Sequence, residues 1–560
     1  MLVVPSRKIA SISRRTTLRP GSSLQHASLR AMSTRSAPGY GFNPNLHLRT
    51  IDPPVQIGAR WAQFYPSTSS PLAGADVLPH FPLLNLAQGV PGHPPTQALL
   101  DRIRFEGLPE NCSAPAGHTH GYGPVFGDAK LRQAVARDIN RVYRTPGKGD
   151  RHQVTEENVG ITAGCNLAFT AVATAIAGPG DALIVCDPWY FNHQMTMTAF
   201  GIQIAGVHTK PPHFYPDLQM IRALLASDNR TSTKTIKGVV LVTPNNPTGA
   251  IYPPDLIRDI AVLCKEYGVA LILDETYRDF LLTGSDGDGP AESSSLAASA
   301  ALPHNLARPH DLFEDAPPGL AEKSWDPDWD WRSTVIHLFS FSKSYAIPGH
   351  RLGGFVAHEA FLQQTVADSN GAQKTVFGPT AKALDNFQVA PPRTDTQRAV
   401  AWAIEDPTQL EWRGQVASEL RVRRRAFVEG LSRPVPPFLN PDASGLAGPG
   451  SDASLAKSPE QWGWKVESAG AYYAFLRHPF EDVPSDRVAQ ALAELVGVVV
   501  LPGAFFMPSE AETKGDSAGS RLRVSVANVS TEMLAKLPER LAILSELWHK
   551  KGAGWGVAST

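Results

Sequence analysis

The chain has little of several features that would place a protein in a class at once. Its 560 residues include four cysteines, with neither CxxC nor metal-ligand spacing. We therefore expect free thiols, and neither a disulfide framework nor a metal site. No run of about 18 apolar residues is present, so no membrane-spanning helix is predicted. The net charge is -1, so no overall field favours nucleic acid or a membrane surface as a partner.

Acidic residues are missing from the N-terminus, where none precedes Asp52. Residues 1–37 instead hold many arginines and serines, a composition that resembles an organellar transit peptide. We expect mitochondrial import of the protein. A disordered basic tail on a cytoplasmic protein is the alternative, and Met32 is an alternative start site.

Two other stretches show no sustained hydrophobic period. Residues from about 284 to 330 and from about 434 to 459 are rich in Ser, Ala, Pro, Asp and Gly. Segments of this composition are commonly linkers or disordered loops. We expect both to be surface insertions, the first of them disordered, with no part in the chemistry.

Between these stretches, helical and strand patterns alternate. Asp128 precedes a segment whose apolar residues Leu131, Val135 and Ile139 recur at helical spacing, so it is a candidate helix cap. Continuous apolar runs of four or five residues are typical of strands covered on both faces, as in a mainly parallel sheet. Such runs occur at 182–185, 239–242, 269–273 and 335–339. The alternation predicts an α/β fold.

Polar or aromatic residues follow each of the four runs directly, at 187–190, 243–249, 274–277 and 340–343. Ligands of open α/β sheets bind at the carboxyl ends of the strands, so we expect one shared crevice. The fourth cluster contains Lys343, with Arg351 eight residues further on. A lysine on a strand-end loop suits an amine that must lose its charge. This arrangement indicates a Schiff base between Lys343 and a phosphorylated cofactor.

Taken in order, these motifs resemble those of the pyridoxal-phosphate-dependent aminotransferases of fold type I, class I/II, from about Leu84 to Val526. The resemblance implies a large, mainly parallel (mixed) sheet of seven-stranded type with helices on both faces. A smaller α+β domain would be built from the N-terminal arm and the C-terminal region. The implied ranges are 38–114 for the arm and the first part of the small domain, 115–400 for the large domain and 401–560 for the C-terminal small domain.

The resemblance also implies an activity and a cofactor. The enzyme would move an amino group between an L-amino acid and a 2-oxo acid, using pyridoxal 5′-phosphate. Lys343 would form the Schiff base and carry the proton that leaves the substrate Cα. Asp274 would keep the pyridine nitrogen protonated, so that the ring accepts electrons. Tyr277 and Asn246 would donate hydrogen bonds to the phenolic oxygen of the ring.

The phosphate group needs donors and positive charge. By the same resemblance, Arg351 would supply a forked guanidinium and Ser340 a hydroxyl. Gly164, Cys165 and Asn166 open a helical stretch after a strand end, so their backbone N–H groups would point at the phosphate. Cys165 would act through its backbone rather than its thiol.

Two tyrosines and an arginine complete the implied site. Tyr190 would stack on the cofactor ring, with Trp189 as its rival for that position. Tyr122 would reach the phosphate of a neighbouring subunit, which implies a homodimer with the site at its interface. Arg523 would bind the α-carboxylate of the substrate through a bidentate pair, with Arg521 as the in-strand alternative.

Two weaker assignments concern the substrate. Gly89, in Gln88-Gly89-Val90-Pro91, would bring its backbone close to the substrate carboxylate. Dicarboxylate-specific relatives carry a second arginine, often from the partner subunit, that meets the distal carboxylate. Arg393 is a loose candidate for it and is equally compatible with a solvated loop position. The sequence does not specify the amino donor or the acceptor.

Three other functions share part of this pattern. Ser340-Phe341-Ser342-Lys343 also fits the S-x-x-K pattern of serine β-lactamases, but Ser227-Asp228-Asn229 precedes it and no K-T-G is present, so we reject this function. Pyridoxal-phosphate-dependent lyases and aminocyclopropane-carboxylate synthases use the same lysine and aspartate, so elimination stays open as the alternative. A non-catalytic cofactor-binding domain is less favoured, because the first 80 residues lack a helical period.

Overall fold

The computed structural model of the chain describes most residues between 43 and 551. The described residues are 43, 46, 50–65, 81–108, 121–147, 149, 151–230, 233–282, 306–315, 329–368, 371–438, 453–508 and 517–551. The predicted transit peptide, residues 1–37, lies outside them. Residues 43–557 cluster into one unit, and the predicted domain boundaries stay predictions.

Helices and strands alternate through the first two thirds of this unit. The helices are α1 Pro54–Ala62, α2 Gln97–Glu106, α3 Ala129–Tyr143, α4 Cys165–Ile176, α5 Phe191–Ala199, α6 Leu218–Asn229, α7 Pro254–Tyr267, α8 Phe341–Ser344, α9 Pro379–Gln388, α10 Thr394–Glu405, α11 Pro407–Leu431, α12 Ser485–Val496, α13 Thr531–Leu534 and α14 Leu537–Lys551. The strands are β1 Leu84–Asn85, β2 Val159–Thr162, β3 Ala182–Asp187, β4 Gln203–His208, β5 Ile236–Val242, β6 Ala270–Asp274, β7 Val335–Ser340, β8 Gly353–Val356, β9 Gln363–Ala367, β10 Gln373–Phe377, β11 Lys465–Gly470, β12 Tyr473–Arg477, β13 Val498–Val499, β14 Leu501–Pro502 and β15 Arg521–Ser525.

A seven-stranded sheet forms the centre of the structure, with the strand order β2-β8-β7-β6-β5-β3-β4. Strands β7, β6, β5, β3 and β4 run parallel to one another. Strand β8 is antiparallel to both β2 and β7. The four apolar runs seen in the sequence form β3, β5, β6 and β7, so their prediction as buried strands is confirmed. The predicted mixed, mainly parallel sheet is also confirmed.

Helices cover both faces of this sheet and bury apolar side chains against it. Helix α3 begins as predicted, with the Asp128 carboxylate accepting a hydrogen bond from the Lys130 N–H at 2.9 Å. Its residues Leu131 and Ile139 join a core on one face together with residues of α6, α7 and α10. Helix α4 belongs to a separate core on the opposite face, with Met197 of α5 and Leu384 of α9.

The second part of the fold joins the two ends of the described chain. Strands β11, β12, β15 and β14 form an antiparallel sheet. Strand β1, from the N-terminal segment, pairs in parallel with β13. Helix α1 packs beside them, and a Cβ added at Gly58 would lie 3.1 Å from the Val499 side chain. The predicted smaller α+β region built from the N-terminal arm and the C-terminal residues is therefore confirmed.

The prediction that residues from about 284 to 330 are a surface insertion is wrong for residues 306–315 and for the completely buried Trp329. Leu312 and Phe313 are completely buried. The Phe313 ring lies 5.3 Å from the ring of Tyr143 and 4.9 Å from that of Trp331. This burial depends on contacts with distant parts of the chain, which the local composition does not reveal. For residues 283–305 and 316–328, outside the described ranges, the prediction is untested.

Residues 306–315 also take part in a buried polar cluster at the end of β6. The Tyr143 hydroxyl donates to the Glu275 carboxylate, whose Oε2 lies 3.0 Å from His337 Nε2 and 3.4 Å from His310 Nε2. Burial alone would raise the pKa of Glu275, but His310 and His337 outweigh burial and hold that pKa far below its usual range. Glu275 is therefore a buried carboxylate compensated partly by the insertion.

The second predicted insertion, from about 434 to 459, is closed at its base. Val435 and Lys457 exchange two backbone hydrogen bonds of 3.1 Å as an isolated antiparallel bridge. Residues 439–452 lie outside the described ranges, so the expected surface position of this segment stays a prediction.

Candidate active site

A cavity of about 530 Å³ lies at the carboxyl ends of the parallel strands, and it is lined by all the predicted site residues except Gly164 and Tyr122. This volume falls within the range of small-molecule and cofactor sites, roughly 300–1,000 Å³. Lys343 and Asp274, from the ends of two adjacent strands, face the same space. The predicted single crevice is present.

Lys343 lies in the one-turn helix α8, directly after β7, rather than in the strand-end loop expected from the sequence. Ser340 caps this turn, with its Oγ accepting from the Ser342 N–H at 3.2 Å. Burial, together with the charges of Arg351 and Arg523, lowers the pKa of Lys343 from 10.5 to about 8. A sizeable fraction of neutral amine is therefore available close to neutral pH, as a nucleophile or a base requires.

Asp274 is buried at the end of β6 and held by two residues that the sequence analysis did not single out. The Thr276 N–H and hydroxyl donate to its Oδ1 at 3.0 and 2.8 Å. His193 Nε2 lies 3.2 Å from its Oδ2, and the His193 ring stacks on Phe169 with the ring centroids 3.9 Å apart. Burial alone would raise the pKa of Asp274, but His193 and Thr276 outweigh it and the pKa is lowered. Asp274 is therefore an ionised carboxylate facing the cavity.

Thr276 could have been recognised from the sequence as a partner of Asp274, whereas His193 could not. Thr276 follows Asp274 by two residues, a spacing at which threonine commonly binds the carboxylate of a turn. His193 lies in α5, one turn after Tyr190, and only the fold brings it under Asp274.

The phosphate end predicted from the sequence lies where α4 begins after β2. The first N–H groups of a helix have no acceptor within the helix, so those of Cys165 and Asn166 are suited to an anion. The Gly164 N–H instead donates to the Thr162 carbonyl at 2.7 Å, so the prediction that it faces the phosphate is wrong. Gly164 has a φ of +83°, and a Cβ there would collide with the Arg351 guanidinium, so glycine leaves that space for Arg351.

The Cys165 thiol takes no part as a nucleophile. Burial and the nearby Asp274 charge raise its pKa well above the usual value, so it stays protonated. The expectation that Cys165 contributes its backbone only is consistent with this state.

Of the two candidate stacking residues, Tyr190 lines the cavity, whereas Trp189 packs into the buried core around α4. The Tyr190 hydroxyl donates to Asn166 Oδ1 at 3.2 Å and accepts from Asn192 Nδ2 at 2.7 Å. These bonds hold the tyrosine ring on one side of the cavity. Asn192 lies in no motif of the sequence that indicates a site residue.

Tyr473 is a further cavity residue that the sequence analysis missed. Its hydroxyl lies 2.7 Å from that of Tyr277, and a Cβ added at Gly89 would collide with it. Glycine at position 89 is therefore needed for the approach of Tyr473, in addition to any contact with a carboxylate. The sequence pattern did not identify Tyr473 as a site residue, because tyrosines 472 and 473 are both typical of an ordinary strand.

Arg523 extends from β15 into the cavity and is almost completely buried. Its Nη1 donates to Asn246 Oδ1 at 3.2 Å and its Nη2 to the Ala87 carbonyl. The guanidinium lies 4.8 Å from the centroid of the Tyr473 ring. Among the described residues, its Nε has no hydrogen-bond acceptor. A buried guanidinium with an unused donor is suited to an anionic ligand.

The alternative arginine is engaged elsewhere. Arg521 lies on the same face of β15 but forms a buried ion pair with Glu467 and does not line the cavity. Arg393 pairs with Asp395 and is not a lining residue either. Tyr122 also lies away from the cavity of its own chain, with 87% of its surface exposed.

The described part of the chain contains neither a metal site nor a membrane-spanning helix. No group of three or more His, Cys, Asp or Glu residues within it is arranged to hold a metal ion. Within the same ranges, no helix combines the length and the low polarity that crossing a membrane requires.

Fold and site together define a pyridoxal-phosphate-dependent enzyme of fold type I. The site fits this cofactor: a lysine of lowered pKa and an ionised carboxylate share one cavity with a guanidinium and a helix N-terminus. The chain belongs to the family described as aminotransferase class I and II, which matches residues 82–541. It is therefore a transaminase that moves an amino group between an amino acid and a 2-oxo acid.

Named relatives agree with this assignment. An aromatic aminotransferase of Arabidopsis thaliana is 25% identical over 75% of this chain and 81% of its own length. A probable aspartate/prephenate aminotransferase of Thermus aquaticus is 31% identical over 75% of this chain and 82% of its own length. Elimination, the alternative from the sequence, is not favoured by these relatives.

Solved structures show the same fold. An aspartate aminotransferase mutant of Thermus thermophilus superposes with a TM-score of 0.60 at 22% identity, covering 90% of this chain and 99% of its own. A putative kynurenine aminotransferase of Saccharomyces cerevisiae gives a TM-score of 0.62 at 18% identity, covering 91% and 100%.

Proposed function

We propose that the cavity residues carry out transamination in the roles that their positions favour. The observation that carries this proposal is the shared cavity of Lys343 and Asp274, together with the lowered pKa of the lysine. Pyridoxal phosphate, when bound, supplies an aldehyde that takes up the amino group and a ring that accepts the electrons left at Cα.

Asp274 would hold a proton at the pyridine nitrogen, because an ionised buried carboxylate favours a cation beside it. Since Asn246 Oδ1 accepts from Arg523, its Nδ2 is oriented to donate to the phenolic oxygen. The Tyr277 hydroxyl would donate to the same oxygen while Tyr473 holds it in place. Lys343, in its neutral form, would remove the proton from the substrate Cα.

Binding of the two anions would be divided between two sets of lining residues. Arg351, Ser340 and the N-terminus of α4 would bind the phosphate group, and Tyr190 would lie against the ring. Arg523 would bind the α-carboxylate of the amino acid. A guanidinium fixes both carboxylate oxygens at once, which orients the Cα–H bond for proton removal.

This function can be tested with one half-reaction. The purified holoenzyme is mixed with single amino acids in the absence of any oxo acid. We expect the bound cofactor to change from its pyridoxal to its pyridoxamine form, measured by absorbance, with one 2-oxo acid released per site. Release of ammonia without the pyridoxamine form would instead support elimination.

We also propose a homodimer in which Tyr122 reaches the partner's site. The support is that Tyr122 is almost fully exposed and lies away from the cavity of its own chain. Coexpression of Lys343→Ala with Tyr122→Ala chains tests this arrangement. If Tyr122 acts in trans, mixed dimers contain one intact site and regain activity that neither variant has alone. No regain of activity would contradict the proposal.

For the basic segment 1–37 we propose mitochondrial import, supported by its arginine- and serine-rich, acid-free composition. A fluorescent fusion of the full chain should colocalise with mitochondria, and a Δ1–37 fusion should not. Diffuse cytoplasmic fluorescence of the full-length fusion would contradict it.

A further inference from the structure

The charged residues of the cavity are few, and the proposed function already uses each of them. Among the described lining residues they are one carboxylate, Asp274, and three cations, Lys343, Arg351 and Arg523. Asp274 is assigned to the ring nitrogen, Arg351 to the phosphate and Arg523 to the α-carboxylate. Lys343 carries the reactive amine. In the part of the chain that the structure describes, no further lining cation is available for a second substrate carboxylate. A cation supplied by the partner subunit of the proposed homodimer would be detected as tighter binding of a dicarboxylate.

The remaining lining surface is largely apolar on one side. Pro54 and Val55, at the start of α1, line the cavity together with Phe191 and Met195 of α5. We call these four residues the apolar wall. Phe191 and Met195 belong to a cluster that includes residues of β13 and β14 and also contacts Ile51, just before α1. Phe191 and Met195 are therefore backed by packed apolar side chains.

The other uncharged polar groups do not change this picture. Asn192 already donates to the Tyr190 hydroxyl, which fixes its amide. Gln56 and Gln88 also line the cavity, and both are neutral. An amide can donate a hydrogen bond to a carboxylate but does not compensate its charge, and a buried carboxylate without a cation is strongly disfavoured.

We propose that the enzyme acts on amino acids with an uncharged, apolar side chain, which the apolar wall receives. This inference rests on the proposed function, because it assumes that Arg523 binds the α-carboxylate. Burial of aliphatic or aromatic surface against Val55, Phe191 and Met195 stabilises such a substrate. Aspartate or glutamate would instead place a second negative charge against these side chains.

Binding measurements on the holoenzyme test the inference without turnover. We expect 4-methylpentanoate or 3-phenylpropanoate, which carry one carboxylate and an apolar group, to bind more tightly than succinate by about 100-fold in calorimetry. The half-reaction rate constants for leucine or phenylalanine should exceed those for aspartate and glutamate by a similar factor. Equal or tighter binding of succinate would overturn the inference.

A matched pair of variants locates the discrimination. Val55→Arg places a cation on the apolar wall and should raise the affinity for succinate at least about tenfold over the parent. Val55→Leu keeps the wall apolar and should retain the preference for 4-methylpentanoate. If Val55→Arg leaves the affinity for succinate unchanged, Val55 does not contact the substrate side chain and the assignment of the wall is wrong.

The two proposals fail in different ways. If no amino acid converts the bound cofactor, the proposed catalytic roles are wrong, whereas the ranking of the carboxylates by calorimetry still decides the inference. If dicarboxylic amino acids convert the cofactor fastest, the proposed function stands and the apolar substrate class is refuted.

Discussion

Replacing Arg523 by lysine is the sharpest test of how the cavity holds its substrate. The arginine is almost completely buried, and its two terminal nitrogens are anchored by Asn246 and the Ala87 carbonyl. Lysine keeps the positive charge but has no planar fork, so it cannot hold both oxygens of a carboxylate and also replace these anchors. Arg523→Lys therefore removes the two-point contact with the carboxylate while keeping the positive charge.

The magnitude follows from the hydrogen bonds that are lost. A hydrogen bond to a charged group contributes about 1.5–3 kcal/mol. Loss of one arm of the fork, together with looser orientation, should cost about 2–3 kcal/mol in the transition state, or a ~30- to 150-fold lower kcat/KM. The assay is the half-reaction rate measured against amino acid concentration, with bound cofactor quantified by absorbance.

Arg521→Lys is the matched control, since Arg521 lies on the same face of β15 but pairs with Glu467 outside the cavity. Disturbing this buried pair should lower thermal stability while leaving kcat/KM of the folded enzyme within about threefold of the parent. If Arg523→Lys also stayed within about threefold, or if Arg521→Lys lost as much kcat/KM, Arg523 would not be the carboxylate ligand.

Three further outcomes are expected. Lys343→Ala should keep cofactor bound without a covalent link but lower turnover at least about 100-fold; undiminished turnover would refute its role as base and nucleophile. Because the pKa of Lys343 is lowered to about 8, the amine of the apoenzyme loses its proton as pH rises through this value. The rate of cofactor uptake, followed by absorbance, should rise about fivefold from pH 7 to 8, reach about tenfold by pH 9 and level off above it, and a flat profile from pH 7 to 9 would contradict the lowered pKa. Phe313→Ala should lower the free energy of unfolding by about 3–5 kcal/mol, whereas Phe377→Ala, whose ring is largely exposed, should change it by about 0.5 kcal/mol or less in denaturant titrations. Equal effects of these two substitutions would mean that residues 306–315 are not part of the core.

Four strands of the central sheet were predictable because their local sequence is sufficient to identify them. Strands β3, β5, β6 and β7 are continuous apolar runs, and a run buried on both faces needs no partner to be recognised. Site residues such as Asp274 and Lys343 were found for a related reason: they directly follow these runs, where parallel strands deliver their side chains to one edge.

The parts that the sequence did not reveal depend on contacts between distant residues. His193 holds Asp274 only because α5 passes beneath β6, and Tyr473 meets Tyr277 across nearly 200 positions of the chain. The N–H of Gly164 turns inward to Thr162, a detail of one turn that a helix-start pattern does not specify. Composition likewise hid the burial of residues 306–315, because their partners lie in α3 and β7.

The buried carboxylate of Glu275 has a consequence for the evolution of chain length in this enzyme. One of its compensating histidines, His310, comes from the stretch predicted to be an insertion, residues from about 284 to 330. A descendant that lost this segment would keep a buried negative charge with one partner fewer, immediately beside Asp274. Shortening is therefore expected to be tolerated only together with a neutral residue at position 275, so that the two changes would be inherited as a pair.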